Sequence, residues 1–264
     1  MAFAAASFGT MHYREAGNRS APALVFCNSL GTDARIWDGV IELLAPDYRL
    51  ISYDMRGHGL SSVPAGPYSI DQLTADLLEL VDLLDLGRFA LAGVSIGGLV
   101  GQQLALDHAD RLAGLILCDT LPKFGNAASW SDRVARVAAG GIEAIADMVL
   151  LRWFPMEFRQ GREAEITGWR NLLLRSPADG YIATCAVLST ADLTSRVAEI
   201  IMPTLVLCGE DDQSTPIEAV RGFAERLPDA RFEAIAGAGH LPSIDQPERL
   251  AQLIRDYLQE VGHA

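Results

Sequence analysis

The stretch LAGVSIGG sets Ser95 two residues after Gly93 and two before Gly97, between an apolar run and the helical pattern SIGGLVGQQLALDHA. At so sharp a strand-to-helix turn the serine must adopt a strained backbone angle. Its hydroxyl then stands off the sheet, above a helix N-terminus whose free N–H groups favour developing negative charge. The flanking glycines are small because neighbouring backbone passes where side chains would sit. The chemistry that fits is nucleophilic attack on a carbonyl, and it requires a base and an acid.

Of the five histidines, His240 lies in GAGHLPSIDQPE, a glycine-rich loop between the last strand-like run and the terminal helix. Such a loop can return an imidazole over Ser95. His12 reads as an edge-strand residue, His108 as a solvated helix end and His263 as part of the tail. His58, in DMRGHGLSS, also follows a strand, but it precedes the serine, whereas elbow enzymes run serine, acid, histidine. It reads as a structural or pocket-wall histidine. The acid should come from GEDDQSTP, which follows TLVLC and offers Glu210, Asp211 and Asp212. Strand continuation puts Asp212 beyond the turn, with Pro216 opening the next helix. Asp119, at the end of LILCD, competes for the role and could equally cap the segment that follows.

These residues need elements to carry them. The runs ALVFCNS (23–29), RLISYD (49–54), FALAGVS (89–95), LAGLILCD (112–119), TLVLCGE (204–210) and RFEAIAG (231–237) lack period-2 alternation, the pattern of parallel strands buried on both faces. Helical patterns separate them. SIDQLTADLLELVDLLDLG carries an S-x-x-Q capping box (Ser69, Gln72) and an apolar stripe of Leu73, Leu77, Leu80 and Leu84, and Pro247 opens the last helix. The alternation predicts a mostly parallel, doubly wound α/β sheet with helices on both faces. SFGT and MHYREAG predict an antiparallel hairpin on its edge. Between residues 122 and 195 only helical patches occur, so residues 1–121 and 196–264 form the core and 122–195 a helical cap lying over the strand ends.

At 264 residues the chain suits one large α/β domain with an insertion. Its 34 acidic against 21 basic residues give a formal charge of −13, which argues against nucleic acid or an anionic membrane as partner. An anionic substrate would therefore need a local Arg or Lys. No stretch approaches a membrane span, and MAFAAASFGT lacks the basic start of a signal peptide. Cys27, Cys118, Cys185 and Cys208 show no metal-ligand or disulfide spacing and read as reduced core thiols of a cytoplasmic protein.

FCNSLGTDARIW, SYDMRGHGLSS, GVSIGG, GEDDQSTP and GAGH, in this order and spacing, resemble the α/β-hydrolase superfamily over essentially the whole chain. More narrowly, NSLGT, RGHG followed by GPYSIDQLTADLL, LLRWF and GYIATCAVLSTADL are similar to the 3-oxoadipate enol-lactonases of the β-ketoadipate pathway. The resemblance implies a Ser95–Asp212–His240 triad. Matching NSLG onto the usual His-Gly-x-Gly gives an oxyanion hole made by the backbone N–H groups of Leu30 and Ile96. Asn28-Ser29 replaces His-Gly, and both side chains are expected to hold the loop by a local Asx-type turn. The implied reaction is hydrolysis of a carboxylate-bearing enol-lactone through an acyl-enzyme, without metal or organic cofactor. Arg133, Arg136, Arg152 and Arg175 are candidate partners for the carboxylate. Trp130 and Arg133, i and i+3 on one helix, are the pair expected to bind substrate, and Trp153 is expected to pack. Rival readings are a general esterase or lactonase, a C–C hydrolase of ring-cleavage products, and a hydrolase-fold receptor for a small molecule.

Overall fold

Apolar runs too short for helices and too uniform for a half-exposed sheet become its central strands. A computed structural model describes residues 1–264. β3 (Ala23–Cys27), β5 (Phe89–Val94), β6 (Leu112–Cys118) and β7 (Thr204–Gly209) are buried almost throughout. With β1 (Ala2–Ala6), β2 (Gly9–Gly17), β4 (Arg49–Tyr53) and β8 (Ala230–Ile235) they form one sheet in the order β1-β2-β4-β3-β5-β6-β7-β8. The β1–β2 and β2–β4 pairs are antiparallel, and the β3–β4, β3–β5, β5–β6, β6–β7 and β7–β8 pairs are parallel. This is the α/β-hydrolase architecture.

Two local expectations shift. The opening hairpin turns at Ser7–Phe8, so β1 takes AFAAA and SFGT supplies the turn and the start of β2. β8 is an edge strand and only half-buried along most of its length; with no neighbour on one side, it cannot be covered as the central strands are. His12 is not on the edge. It lies on β2, covered by β1, where it is buried and hydrogen-bonds through Nδ1 to Asp54 at 2.7 Å.

Helices α1 (Asp38–Leu44), α2 (Ile70–Leu83) and α3 (Ile96–Asp107) precede the insertion. The capping box of α2 is formed in both directions, with Ser69 Oγ accepting from Gln72 N at 3.2 Å and Gln72 Oε1 accepting from Ser69 N at 3.0 Å. Its Leu73, Leu77 and Leu80 are buried, each worth roughly 1.5–3 kcal/mol of transfer free energy.

Between β6 and β7 run α4 (Ala127–Gly140), α5 (Glu143–Trp153), α6 (Met156–Gly161), α7 (Glu163–Leu174) and α8 (Ala178–Thr190). The long helical patch expected from Ser129 onward is broken at Gly141. Buried side chains of α5 and α8 join the same hydrophobic cluster as the strands. α9 (Ile217–Ala224), α10 (Pro242–Asp245) and α11 (Pro247–Glu260) complete the chain. No helix is long and apolar enough to cross a membrane.

Chain order reverses between β3 and β5, since β4 lies to one side of β3 and β5 to the other. A crevice must open at the C-terminal ends of those two strands. Leu30 follows β3 and Ser95 follows β5, so both stand at its mouth.

Candidate active site

Ser95 adopts φ 58° and ψ −120°, a conformation that non-glycine residues rarely take. The end of β6 clamps it there. Ser95 N–H donates to the Cys118 carbonyl at 3.0 Å, and Thr120 Oγ donates to the Ser95 carbonyl at 2.7 Å. A Cβ at Gly93 would lie 2.3 Å from the Gly97 carbonyl oxygen, and one at Gly97 would lie 2.4 Å from that of Cys27. The elbow therefore admits only glycine at both positions.

Asp212 and His240 come from different loops. His240 Nδ1 donates to Asp212 Oδ2 at 2.9 Å with both side chains buried. Asp212 also accepts from the N–H groups of Ser214 (2.6 Å) and Thr215 (3.2 Å) and from the Thr215 hydroxyl. Burial pushes its carboxyl up, but the His240 charge and these hydrogen bonds outweigh that and hold it below its ordinary value. The cap fixes the other side of the loop, because His240 N–H donates to the Trp153 carbonyl at 2.9 Å. Ser95 and His240 line one cavity without a hydrogen bond between them; such bonds are commonly long in unliganded enzymes and close around substrate.

Asp119 does not cap the insertion. It sits beside Asp212 and the Cys208 thiol, with ligand atoms of the three side chains within 4.8 Å of one another. One carboxyl oxygen accepts from Gly209 N–H at 2.8 Å, and the other is buried without a partner. Burial and the neighbouring Asp212 charge push its carboxyl well above the ordinary range. Of the two carboxyls it is the one pushed toward its neutral form.

Neither the Leu30 N–H, in the loop after β3, nor the Ile96 N–H, at the start of α3, is taken up by another group of the chain. Leu30 and Ser95 line the cavity together. Asn28 does not form the expected local turn. It reaches across the sheet end, where Nδ2 donates to the Tyr53 carbonyl at 2.6 Å and Oδ1 accepts from Trp37 Nε1 at 3.1 Å. A residue pinned at both ends to β4 and the first helical turn cannot also bond its own neighbours. The local clasp comes from Thr32, whose N–H (3.2 Å) and hydroxyl (2.7 Å) both donate to the Ser29 carbonyl.

The cavity holds about 380 Å³. Its cap wall includes Trp130, Arg133, Arg136 and Arg152, whereas Arg175 faces a different recess. Trp130 is held by its Nε1–H, which donates to the Phe124 carbonyl at 2.8 Å, and the Arg133 guanidinium lies 4.9 Å from the Trp130 ring centroid. Arg136 is bonded to Asp132 at 2.9 Å. Arg133 and the more exposed Arg152 have no carboxylate partner, and partial burial together with the like charge of Arg133 pushes Arg152 down. Trp153 is buried as expected but also lines the cavity. Sequence reasoning missed Thr215 and Tyr181. Thr215 carries a readable signal, a hydroxyl three residues after the acid; Tyr181, in the middle of α8, carries none.

Residues 24–253 match the model of the alpha/beta hydrolase family. The chain belongs to that family. It is 34% identical over 238 residues to 3-oxoadipate enol-lactonase 2 of Acinetobacter baylyi, covering 90% of this chain and 89% of that protein. The solved enol-lactonase of Burkholderia xenovorans LB400 superposes with a TM-score of 0.95 at 34% identity, over 98% of this chain and 100% of that one. A thermophilic esterase from Thermogutta terrifontis, solved with malate bound, superposes at 0.91 with 32% identity, over 98% and 97% of the two chains. This alpha/beta hydrolase therefore resembles both a lactonase and an esterase.

Proposed function

We propose that the protein hydrolyses a carboxylate-bearing enol-lactone, namely 3-oxoadipate enol-lactone, through an acyl-enzyme on Ser95. The observation that carries this reading is the pair of guanidiniums without a carboxylate partner, Arg133 and Arg152, in the cavity that also holds Ser95 and His240. In a protein of net charge −13 they supply the local cation that an anionic substrate requires. Similarity to two enol-lactonases supports the choice of lactone.

Ser95 Oγ attacks the lactone carbonyl carbon while its proton passes to His240, which Asp212 orients through Nδ1. The N–H groups of Leu30 and Ile96 hold the oxyanion, each worth roughly 3–4 kcal/mol in kcat. The ring C–O bond then breaks. His240 returns the proton to the leaving enol oxygen, and the enol tautomerises to a ketone, which makes reversal unfavourable. Water, deprotonated by His240, releases the diacid and restores Ser95.

The test follows loss of enol-lactone absorbance in parallel with p-nitrophenyl acetate hydrolysis. The lactone should be turned over with much the larger kcat/KM. Ser95→Ala should lower kcat by roughly 10⁵–10⁶-fold, and Arg133→Met should raise KM for the lactone about tenfold or more while leaving the neutral ester unaffected. Simple esters cut as fast as the lactone would instead favour a general esterase, the reading to which the Thermogutta relative points.

A further inference from the structure

His58 is fully buried and takes no part in the steps above. Its Nε2 lies 3.0 Å from the Gly31 N–H and its Nδ1 lies 3.2 Å from the Arg56 carbonyl oxygen. A backbone N–H can only donate and a backbone carbonyl can only accept. The two contacts therefore fix the ring: Nδ1 carries the hydrogen, Nε2 offers its lone pair to Gly31, and the imidazole is neutral.

Gly31 directly follows Leu30, whose N–H is the oxyanion donor of the proposed function, and the present inference rests on that assignment. Three contacts set the loop. Thr32 grips the Ser29 carbonyl, which in a trans peptide points opposite to the Leu30 N–H and so aims it. His58 holds the Gly31 N–H, and Ser176 Oγ from the cap donates to the Gly31 carbonyl at 3.1 Å. Gly31 has φ +77°, and a Cβ there would lie 2.9 Å from Leu173 and 3.0 Å from Tyr181, so the cap closes tightly over a loop that needs an acceptor beneath it.

We propose that neutral His58 is the positioning residue of the oxyanion loop, and that its protonation releases the loop and closes the hole to catalysis. A hydrogen on Nε2 would face the Gly31 N–H at 3.0 Å, donor against donor. The ionisable groups facing His58 are Asp54, which is paired with His12, and Asp33, which is paired with Arg35. The Arg56 guanidinium is turned away onto Asp76. The cap presents uncharged Gly180 against Gly57 and Tyr181 against Gly31. Burial pushes the imidazole below its usual value, and the Arg56 carbonyl, Asp54 and Asp33 oppose this in part. Protonation of His58 is thus an acid event of its own, outside the proposed Ser95–Asp212–His240 set.

Two variants separate an acceptor from a merely buried ring. His58→Gln can place an amide oxygen against Gly31 and cannot take a proton there; His58→Leu offers no acceptor. With p-nitrophenyl acetate, His58→Leu should lower kcat about 10²-fold with little change in KM, and His58→Gln should restore most of it. The acid limb of log kcat/KM should steepen from slope 1 toward slope 2 in the wild type and stay at slope 1 in His58→Gln. Independently of turnover, exchange of the Gly31 amide hydrogen should quicken about tenfold in His58→Leu and stay slow in His58→Gln. Equal losses in the two variants, or a Gly31 amide that exchanges alike in both, would overturn the proposal. If His58→Leu does not fold, the Gly31 exchange and acid limb of His58→Gln decide it, and a steepening limb in that variant refutes it. A wild type inactive on both lactone and ester would count against the proposed function, while the Gly31 exchange would still judge the role of His58.

Discussion

Replacing Asp245 with asparagine should make the folded protein's stability less dependent on pH, with a sign and window that the structure sets. Asp245 is only 4% exposed. One carboxyl oxygen accepts from Gly239 N–H at 2.7 Å, and the other is buried without a partner. Burial raises its pKa from 3.8 to about 7, with Asp212 adding to the shift and the Gly239 hydrogen bond opposing it. Between those values the unfolded chain has released the proton and the folded chain retains it. The folded state thus binds more protons, and stability falls as pH rises. The stabilising neutral form contributes fully below about pH 4 and is lost as pH climbs to about 7, at roughly 1.4 kcal/mol per pH unit. The whole window is worth on the order of 4 kcal/mol. Asp245→Asn retains an acceptor for Gly239 and removes the ionisation. Its new N–H₂ group adds a constant offset of about 1–3 kcal/mol at every pH, so the slope is the observable. Urea unfolding of both proteins from pH 4 to 9 should show the variant gaining on the wild type through the window and level above it. In Tm the gain is about 8–16 °C for a chain of this size. Ionisations common to both proteins, those of Asp119 and Asp212 among them, cancel to first order. A difference that stays flat between pH 5 and 7 would refute the reasoning.

Gly97→Ala should lower kcat by about 10²-fold and destabilise the fold by about 1–3 kcal/mol or more, because the new Cβ meets the Cys27 carbonyl at 2.4 Å; kinetics and urea midpoints on the same preparation check both. Thr215→Val removes a hydroxyl donor from Asp212 and should cost about 1.5–3 kcal/mol. Since the Asp212 pKa is lowered on folding, that stabilisation is present above its unfolded value and fades as pH falls through the folded one, so wild type and variant should converge in acid. Asp119→Asn keeps an acceptor for Gly209 and replaces a neutral acid by a neutral amide. Its kcat/KM should stay within about threefold of wild type with an unchanged pH profile, and a shifted profile would mean that Asp119 is ionised.

Sequence reading succeeded where a local rule decides the geometry. The Ser69–Gln72 capping box is written in four residues and forms as written, and the uniformly apolar runs become strands buried on both faces. The elbow was legible for the same reason, because G-x-S-x-G between strand and helix leaves the backbone one course. What was not legible depends on distance. Asn28 looked like a local turn former because nothing near it in the chain reveals that the Tyr53 carbonyl and the Trp37 indole will arrive beside it. His12 looked like an edge residue because the strand that covers it has only AFAAA to declare itself. The Arg133–Trp130 contact follows from i, i+3 spacing, but that Arg152 joins them and Arg175 does not is a matter of how the cap helices pack.

The two carboxyls behind His240 show how one environment yields opposite charge states. Asp212 and Asp119 are both buried, end neighbouring strands and lie within reach of the same thiol. Asp212 receives two backbone N–H groups, a hydroxyl and the imidazole, whereas Asp119 receives only the Gly209 N–H. Burial costs both anions alike, so the number of donors decides which one ionises. Burial, and after it the charge on Asp212, push Asp119 toward its neutral form. In the proposed function this divergence separates the acid that works, Asp212, from the one that stands by. Two acids at adjacent strand ends, either of which could serve by position alone, are thus resolved by the Ser214–Thr215 turn. That turn, rather than strand position, is what fits Asp212 to the orienting role that the proposed function gives it.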